Sequence, residues 1–168
     1  MDLIDNIKLL ASKVKENENQ IKTEEATKNA VVLPFIGYLG FDIFNPKEVV
    51  PEFVADFGGK KGEKVDYALL LNGEPAVLIE CKRFKEKLDI NKESQLFRYY
   101  SATKAKVAIL TNGQIFKFFA DLEKPNIMDK IPFLVFDIFN FDDNGIVNEL
   151  KKFTKEYKKY ATQSIKTR

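Results

Sequence analysis

Asp66, Glu80 and Lys82 interrupt the apolar runs of one stretch, KVDYALLLNGEPAVLIECKRF, residues 64–84. The stretch reads as a strand, a turn and a second strand, and the runs ALLL and AVLI mark both strands as central in a sheet. Successive strand residues face opposite ways, so Glu80 and Lys82 share a face and Cys81 points to the other. The face of Asp66 depends on the turn. A two-residue Asn72-Gly73 turn pairs Asp66 with Ile79 and turns it away from Glu80. A three-residue Asn72-Gly73-Glu74 loop, or a bulge, brings it to the same side. Pro75 has no N–H for tight ladder pairing, which favours the longer loop or the bulge over the simplest turn.

Two convergent carboxylates in an apolar sheet are disfavoured by desolvation and by mutual repulsion. A divalent cation relieves both, and hard oxygen ligands are what Mg²⁺ takes. A lysine beside them can position or deprotonate a water, or neutralise charge on a reacting phosphate. Metal-assisted hydrolysis of a phosphodiester uses these parts. The architectural alternative is a salt bridge, with Lys82 paired to Asp66 or Glu80 near the end of the sheet.

The rest of the composition narrows the chemistry. The 168 residues suit one domain able to bury a core, and a net charge of +2 neither demands nor forbids nucleic acid. There is no histidine, which removes Ser-His-Asp and Cys-His nucleophile systems and imidazole metal sites. A single cysteine, Cys81, excludes an intramolecular disulfide and a thiolate zinc site, and it is expected to pack in the core. The amphipathic, acidic start has neither the basic start nor the apolar core of a signal peptide, and no run reaches the length of a membrane span. The expected location is the cytoplasm.

Several elements must position the charges. Leu3, Ile7, Leu10 and Val14 recur at helical spacing, predicting a helix over residues 2–16. Thr23 is the expected N-cap of a second helix with an apolar stripe of Ala26, Ala30, Leu33 and Gly37, kinked at Pro34 and closed by LGF at 39–41. A short extended piece precedes a glycine- and lysine-rich loop, FGGKKGEK, whose Lys60, Lys61 and Lys64 are the expected phosphate contacts. After the hairpin, LDINKESQLFRYYSATKAK reads as a helix, with Gln95/Tyr99 and Leu96/Tyr100 as separate i, i+4 pairs. KVAILTNGQIFKFFADL reads as a second hairpin turning at Asn112-Gly113, IPFLVFDIF as an edge strand, and residues 145–161 as a closing helix with a lysine-rich exposed face. This order gives an α/β (α+β) mixed sheet with helices packed on it, in one domain with a core over about residues 20–140.

VDYALLLNGEPAVLIECK, followed by QLFRYY and then AILTNGQIFKFF, resembles a PD-(D/E)xK nuclease. More narrowly, it resembles the N-terminal nuclease domain of type I restriction enzyme R subunits. The resemblance implies a restriction-endonuclease-like fold, a Mg²⁺ ion (with Mn²⁺ as a substitute) on Asp66 and Glu80, and Lys82 as the catalytic lysine. It further implies that Gln95 and Tyr99 form the Q-x-x-x-Y element, and that Glu24, or Glu25 in its place, completes the site. Double-stranded DNA is the implied substrate. Other restriction-system subunits or a larger parent chain are the implied partners, since this sequence carries no helicase or P-loop motif. The family's leading proline is absent, Val65 standing before Asp66. A nuclease-like module that binds or assembles without turnover is the alternative.

Overall fold

Six strands follow one another through a single sheet in chain order. In the computed structural model, which describes residues 2–55, 62–141 and 145–158, they are β1 (Val49–Phe53), β2 (Val65–Leu71), β3 (Glu74–Cys81), β4 (Val107–Thr111), β5 (Ile115–Phe119) and β6 (Leu134–Asp137). Every neighbouring pair is antiparallel except β3 with β4, which run parallel. A parallel pair needs a crossover, and α4 (Ser94–Ala102) supplies it. All five residues of β4 are buried, as expected for a strand covered on both faces. The architecture is α/β, a mixed sheet of the restriction-endonuclease-like kind.

One face of the sheet packs Tyr67, Leu69, Val77, Ile79, Cys81, Val107, Ile109, Phe116 and Phe118 against α1 (Leu3–Asn17) and the helices that follow it. The other packs Ala68, Leu78, Ala108 and Leu110 against Leu96, Tyr99 and Tyr100 of α4. Cys81 is therefore a core residue facing away from Asp66 and Glu80, as its alternation requires. The four apolar positions expected of α1 are its buried ones.

The second helical region departs from expectation in an informative way. Thr23 caps α2 (Glu24–Thr27) by accepting the Ala26 N–H at 3.0 Å. A π-helical turn over Lys28–Val32 then leads into α3 (Leu33–Tyr38), so the irregularity falls ahead of Pro34. The π turn spends an extra residue per turn and rotates the inward face. Thr27, Lys28, Val31, Val32, Phe35 and Ile36 are buried in place of the Ala26–Ala30–Leu33–Gly37 stripe, and Ala30 is exposed. Gly40, with φ +96°, ends the helix as expected.

The closing helix is interrupted within its described part, and residues 159–161 of the expected span lie outside the described residues. α5 covers Gly145–Lys151, and the chain turns at 152–154 before one further helical turn over 155–158. The Thr154 hydroxyl donates to the Lys151 carbonyl at 2.8 Å and accepts the Tyr157 N–H, competing with the helical ladder. Among the described residues, no helix is long and apolar enough to cross a membrane.

The β2–β3 hairpin corrects the expected loop. Leu71 pairs with Glu74, so the turn is the two-residue Asn72-Gly73, with φ +53° and +78° as a type I′ turn requires. The three-residue loop is absent. The shift comes instead from a bulge: Leu70 opposes Pro75 but Leu69 opposes Val77, which leaves Ala76 as the extra residue. β4 begins to pair with β3 only at Val77, so the missing Pro75 N–H is not needed on that side. Below the bulge Tyr67 opposes Ile79, a register that places Asp66 on the face of Glu80.

Candidate active site

The ladder between β2 and β3 ends at Tyr67 and Ile79, and Asp66 takes over the next donor. Its Oδ2 accepts the Cys81 N–H at 2.7 Å, and its Oδ1 meets the Lys28 ammonium at 2.9 Å. Lys28 also lies 2.9 Å from Glu25 and 3.8 Å from Glu24. Asp66 and Glu80 stand opposite each other on one face just beyond the last paired residues, so the two carboxyls are neighbours. On the far side of Glu80, the Lys82 ammonium sits 2.9 Å from Glu93, a buried carboxylate just before α4. One end of the sheet thus gathers Glu24, Glu25, Asp66, Glu80 and Glu93 with Lys28 and Lys82.

The electrostatics divides these groups by environment. Burial pushes the Glu80 carboxyl up to about 10, helped by its hydrogen bond to Asp66 and by the charges of Asp66 and Glu93. Asp66 is also penalised by burial, but the hydrogen bonds from Glu80, Lys28 and the Cys81 N–H hold it below the ordinary carboxylate value. Glu24 is raised by burial and by the neighbouring Asp66 charge. Both lysines resist the lowering effect of burial: the hydrogen bonds Lys28 donates to Asp66 and Glu25 raise it, and the one Lys82 donates to Glu93 raises Lys82. The two carboxyls are thus driven in opposite directions, Asp66 down and Glu80 up.

The helix start is held against the segment after β3 and the β4–β5 turn. The Thr27 hydroxyl donates to Thr23 C=O at 2.9 Å and accepts the Phe84 N–H at 2.9 Å, tying α2 to the segment that follows Lys82. The Lys82 N–H continues the parallel ladder to Thr111 C=O at 2.8 Å. Asn112 accepts the Gln114 and Ile115 N–H groups on its side-chain oxygen and donates its amide to Glu86 C=O at 2.8 Å. Gly113, at φ +84°, then passes so close to the helix that a Cβ there would lie 2.8 Å from Thr27 Cγ2 and 3.0 Å from Phe84 Cδ2. The ILTNG segment is thus the seat on which the Lys28-bearing helix rests.

The structure sets Asp66 opposite Glu80 and links Glu24 to them only through Lys28, while Lys82 is tied to neither expected partner. Glu25 is exposed at the rim and shares Lys28 with Glu24. On α4, Tyr99 is buried and its hydroxyl donates to Glu63 C=O at 2.7 Å, while Arg98 grips the Glu63 carboxylate. Tyr99 so anchors the strand entry into β2. Gln95 is half-buried on α4, and its side chain makes no hydrogen bond to another described residue. Lys64 pairs with Glu52 at 2.5 Å across the β1–β2 connection. Lys60 and Lys61 lie outside the described residues.

Sequence reasoning missed Lys28 and Glu93. Lys28 carried a signal, since it stands three and four residues after Glu25 and Glu24 on one helix. Its burial and its reach to Asp66 follow only from the π turn and the close seat at Gly113. Glu93 gave no signal beyond an acidic residue before a helix.

The donors fit a hydrated Mg²⁺ ion in part. Among the described residues no three acidic or thiol side chains converge as a ready-made metal cage. Mg²⁺ commonly takes one or two carboxylates and keeps several waters, and buried Asp66 with half-buried Glu80 opposite it is such a donor set.

The fold recurs in a solved structure. The cryo-electron-microscopy structure of a DrdV–DNA complex aligns with a TM-score of 0.56 at 12% identity, covering 91% of this chain and 96% of that one. No curated protein is significantly similar in sequence. Asp66, Glu80, Lys82, Glu93, Gln95, Tyr99 and Gly113 fall inside residues 48–127, the stretch over which the chain is similar to the type I restriction enzyme R protein N terminus family.

Proposed function

We propose that this chain is a Mg²⁺-dependent DNA endonuclease domain of restriction or defence type, hydrolysing phosphodiester bonds in double-stranded DNA, with Mn²⁺ as a substitute ion. The observation that carries the reading is the register that sets Asp66 opposite Glu80 on one face at a sheet end, with Lys82 two residues further along the same strand line. Asp66 and Glu80 would hold the ion, and Glu24 would complete the acidic rim. A bound Mg²⁺ supplies positive charge for the phosphate in the transition state and acidifies a water.

The chain's own groups do the rest. Lys82 keeps its ammonium charged through Glu93, and its side chain is partly exposed, so it can neutralise a phosphate oxygen or orient the attacking water. Glu93 sets the direction of that ammonium. Tyr99 and Arg98 hold Glu63, and with it the start of β2 that delivers Asp66. Lys64, together with Lys60 and Lys61, would meet the DNA backbone. Other subunits of a restriction system, or further domains of a larger parent chain, would supply target recognition and translocation.

The deciding assay is cleavage of supercoiled and linear double-stranded DNA with Mg²⁺ or Mn²⁺. Asp66→Ala and Lys82→Ala abolish cleavage while the folded circular dichroism spectrum persists. Equal cleavage by wild type and both variants overturns the assignment. A second reading, a nuclease-like DNA-binding or assembly module without turnover, is favoured by one feature: Lys28 and Glu93 already neutralise Asp66 and Lys82 internally. Titration calorimetry with Mn²⁺, wild type against Asp66→Asn, separates the two. Uptake that depends on Asp66 supports the enzyme.

A further inference from the structure

Lys28 is out of place for a helix lysine. It is 8% exposed, it stands on a π turn, and its Nζ lies 2.9 Å from Asp66 Oδ1, on the carboxylate that the nuclease reading gives to the metal. Glu25, also 2.9 Å away, is three-quarters exposed at the rim of the site, so the ammonium bridges an inner carboxylate and an outer one. A lysine on a flexible stem between two such partners can release the inner and keep the outer with little backbone change. The inner oxygen would then face a different cation.

We infer that Lys28 is a built-in counter-cation of Asp66, which a divalent ion displaces toward Glu25 when the site loads. The inference rests on the metal-site reading above. Its consequence is competition: the affinity of the site for a divalent ion is set partly by the strength of the Lys28–Asp66 contact. Arg98 and Lys82 have their own carboxylates, Glu63 and Glu93, and do not enter this exchange. The ammonium also keeps Asp66 compensated while the site is metal-free, which lets the sheet fold before any ion arrives.

The test is Mn²⁺ binding by titration calorimetry on the full chain, comparing wild type, Lys28→Met, Lys28→Gln and Lys28→Arg. Lys104→Met serves as the control, since Lys104 pairs with Glu74 at the turn end of β3, away from Asp66. Loss of one charge-assisted contact predicts that Lys28→Met and Lys28→Gln bind Mn²⁺ about tenfold more tightly, with Lys28→Arg and Lys104→Met close to wild type. ¹³Cε-labelled lysine spectra should show the Lys28 resonance of the wild type moving as Mg²⁺ is added. Thermal melts in EDTA guard against a misfolded variant, and Lys28→Gln stands in if Lys28→Met does not fold. Unchanged or weaker Mn²⁺ affinity in the folded neutral variants, with normal uptake by wild type, overturns the displacement and leaves the metal site standing. No Mn²⁺ uptake by wild type or by any Lys28 variant overturns the metal-site reading, and the displacement falls with it.

Discussion

Replacing Glu80 with glutamine stabilises the metal-free protein at neutral pH, whereas Asp66→Asn weakens it. The opposite signs follow from environment. Glu80 is held up to about 10 from an ordinary value of 4.5, chiefly by burial and then by Asp66, so the folded state binds its proton where the unfolded chain has released it. A raised acid reduces stability as pH climbs above its unfolded value. At pH 7 that penalty is at most about 3 kcal/mol, an upper bound because Glu80 titrates together with Asp66. An amide at position 80 has nearly the same shape, carries no charge and can donate to Asp66 directly.

For a chain of this size each kcal/mol shifts the melting temperature by about 2–4 °C, so Glu80→Gln should raise it by up to about 10 °C at pH 7 in EDTA. Near pH 4.5 the gain should fall to a few tenths of a kcal/mol, since the unfolded chain is then about half protonated, and it should vanish only at lower pH. Asp66→Asn removes the inner partner of buried Lys28 and leaves it only the rim, at a loss of about 2–4 kcal/mol. Calorimetric melts at pH 4.5, 6, 7 and 8 read both effects. A Glu80→Gln melting temperature below wild type at pH 8, or a gain of equal size at every pH, refutes the reasoning.

Three further outcomes follow from the clamps around the site. Gly113→Ala forces a Cβ into Thr27 and Phe84 at a left-handed backbone position, and urea denaturation should show a loss of about 2–4 kcal/mol. Thr27→Val deletes the acceptor of the Phe84 N–H and should lower stability by about 1–3 kcal/mol, read by the same denaturation. Glu93→Gln strips Lys82 of its partly buried partner; melts should fall modestly, and cleavage of DNA should fall with them because the ammonium loses its orientation.

Much of the sheet was legible because its signals are local. Asn72-Gly73 and the ILTNG turn announce hairpins, and the buried runs around them announce central strands. The pairing was legible only as a choice, and Pro75 pointed to the right side of it: a bulge at Ala76 accompanies the two-residue turn. The inward face of the second helical region was not legible. Its stripe assumes 3.6 residues per turn, while the π turn at Lys28–Val32 advances more slowly and exchanges Ala30 for Val31 and Val32. The interruption of the closing helix was not legible for a related reason, since Thr154 takes up backbone partners that periodicity cannot anticipate.

The partners of the charged residues were the least legible part, and the fold explains why. Asp66, Glu80 and Lys82 are close in sequence, so the simplest neutral arrangement pairs them with one another. The strand geometry allows something else. Once the bulge puts Asp66 and Glu80 on one face, their carboxyls are neighbours, and the lysine that follows leans away to Glu93 at the start of α4. Asp66 then needs a cation from outside the hairpin, and the one within reach comes from a helix some forty residues earlier, seated by Gly113 and Thr27. Each lysine in the site is thus supplied by one covering layer or fixed by another, while the carboxyl pair belongs to the sheet. That division leaves the carboxyl pair on the sheet and the partners of the site's charges on the layers that cover it, Lys28 from the helical region before the sheet and Glu93 from the start of α4.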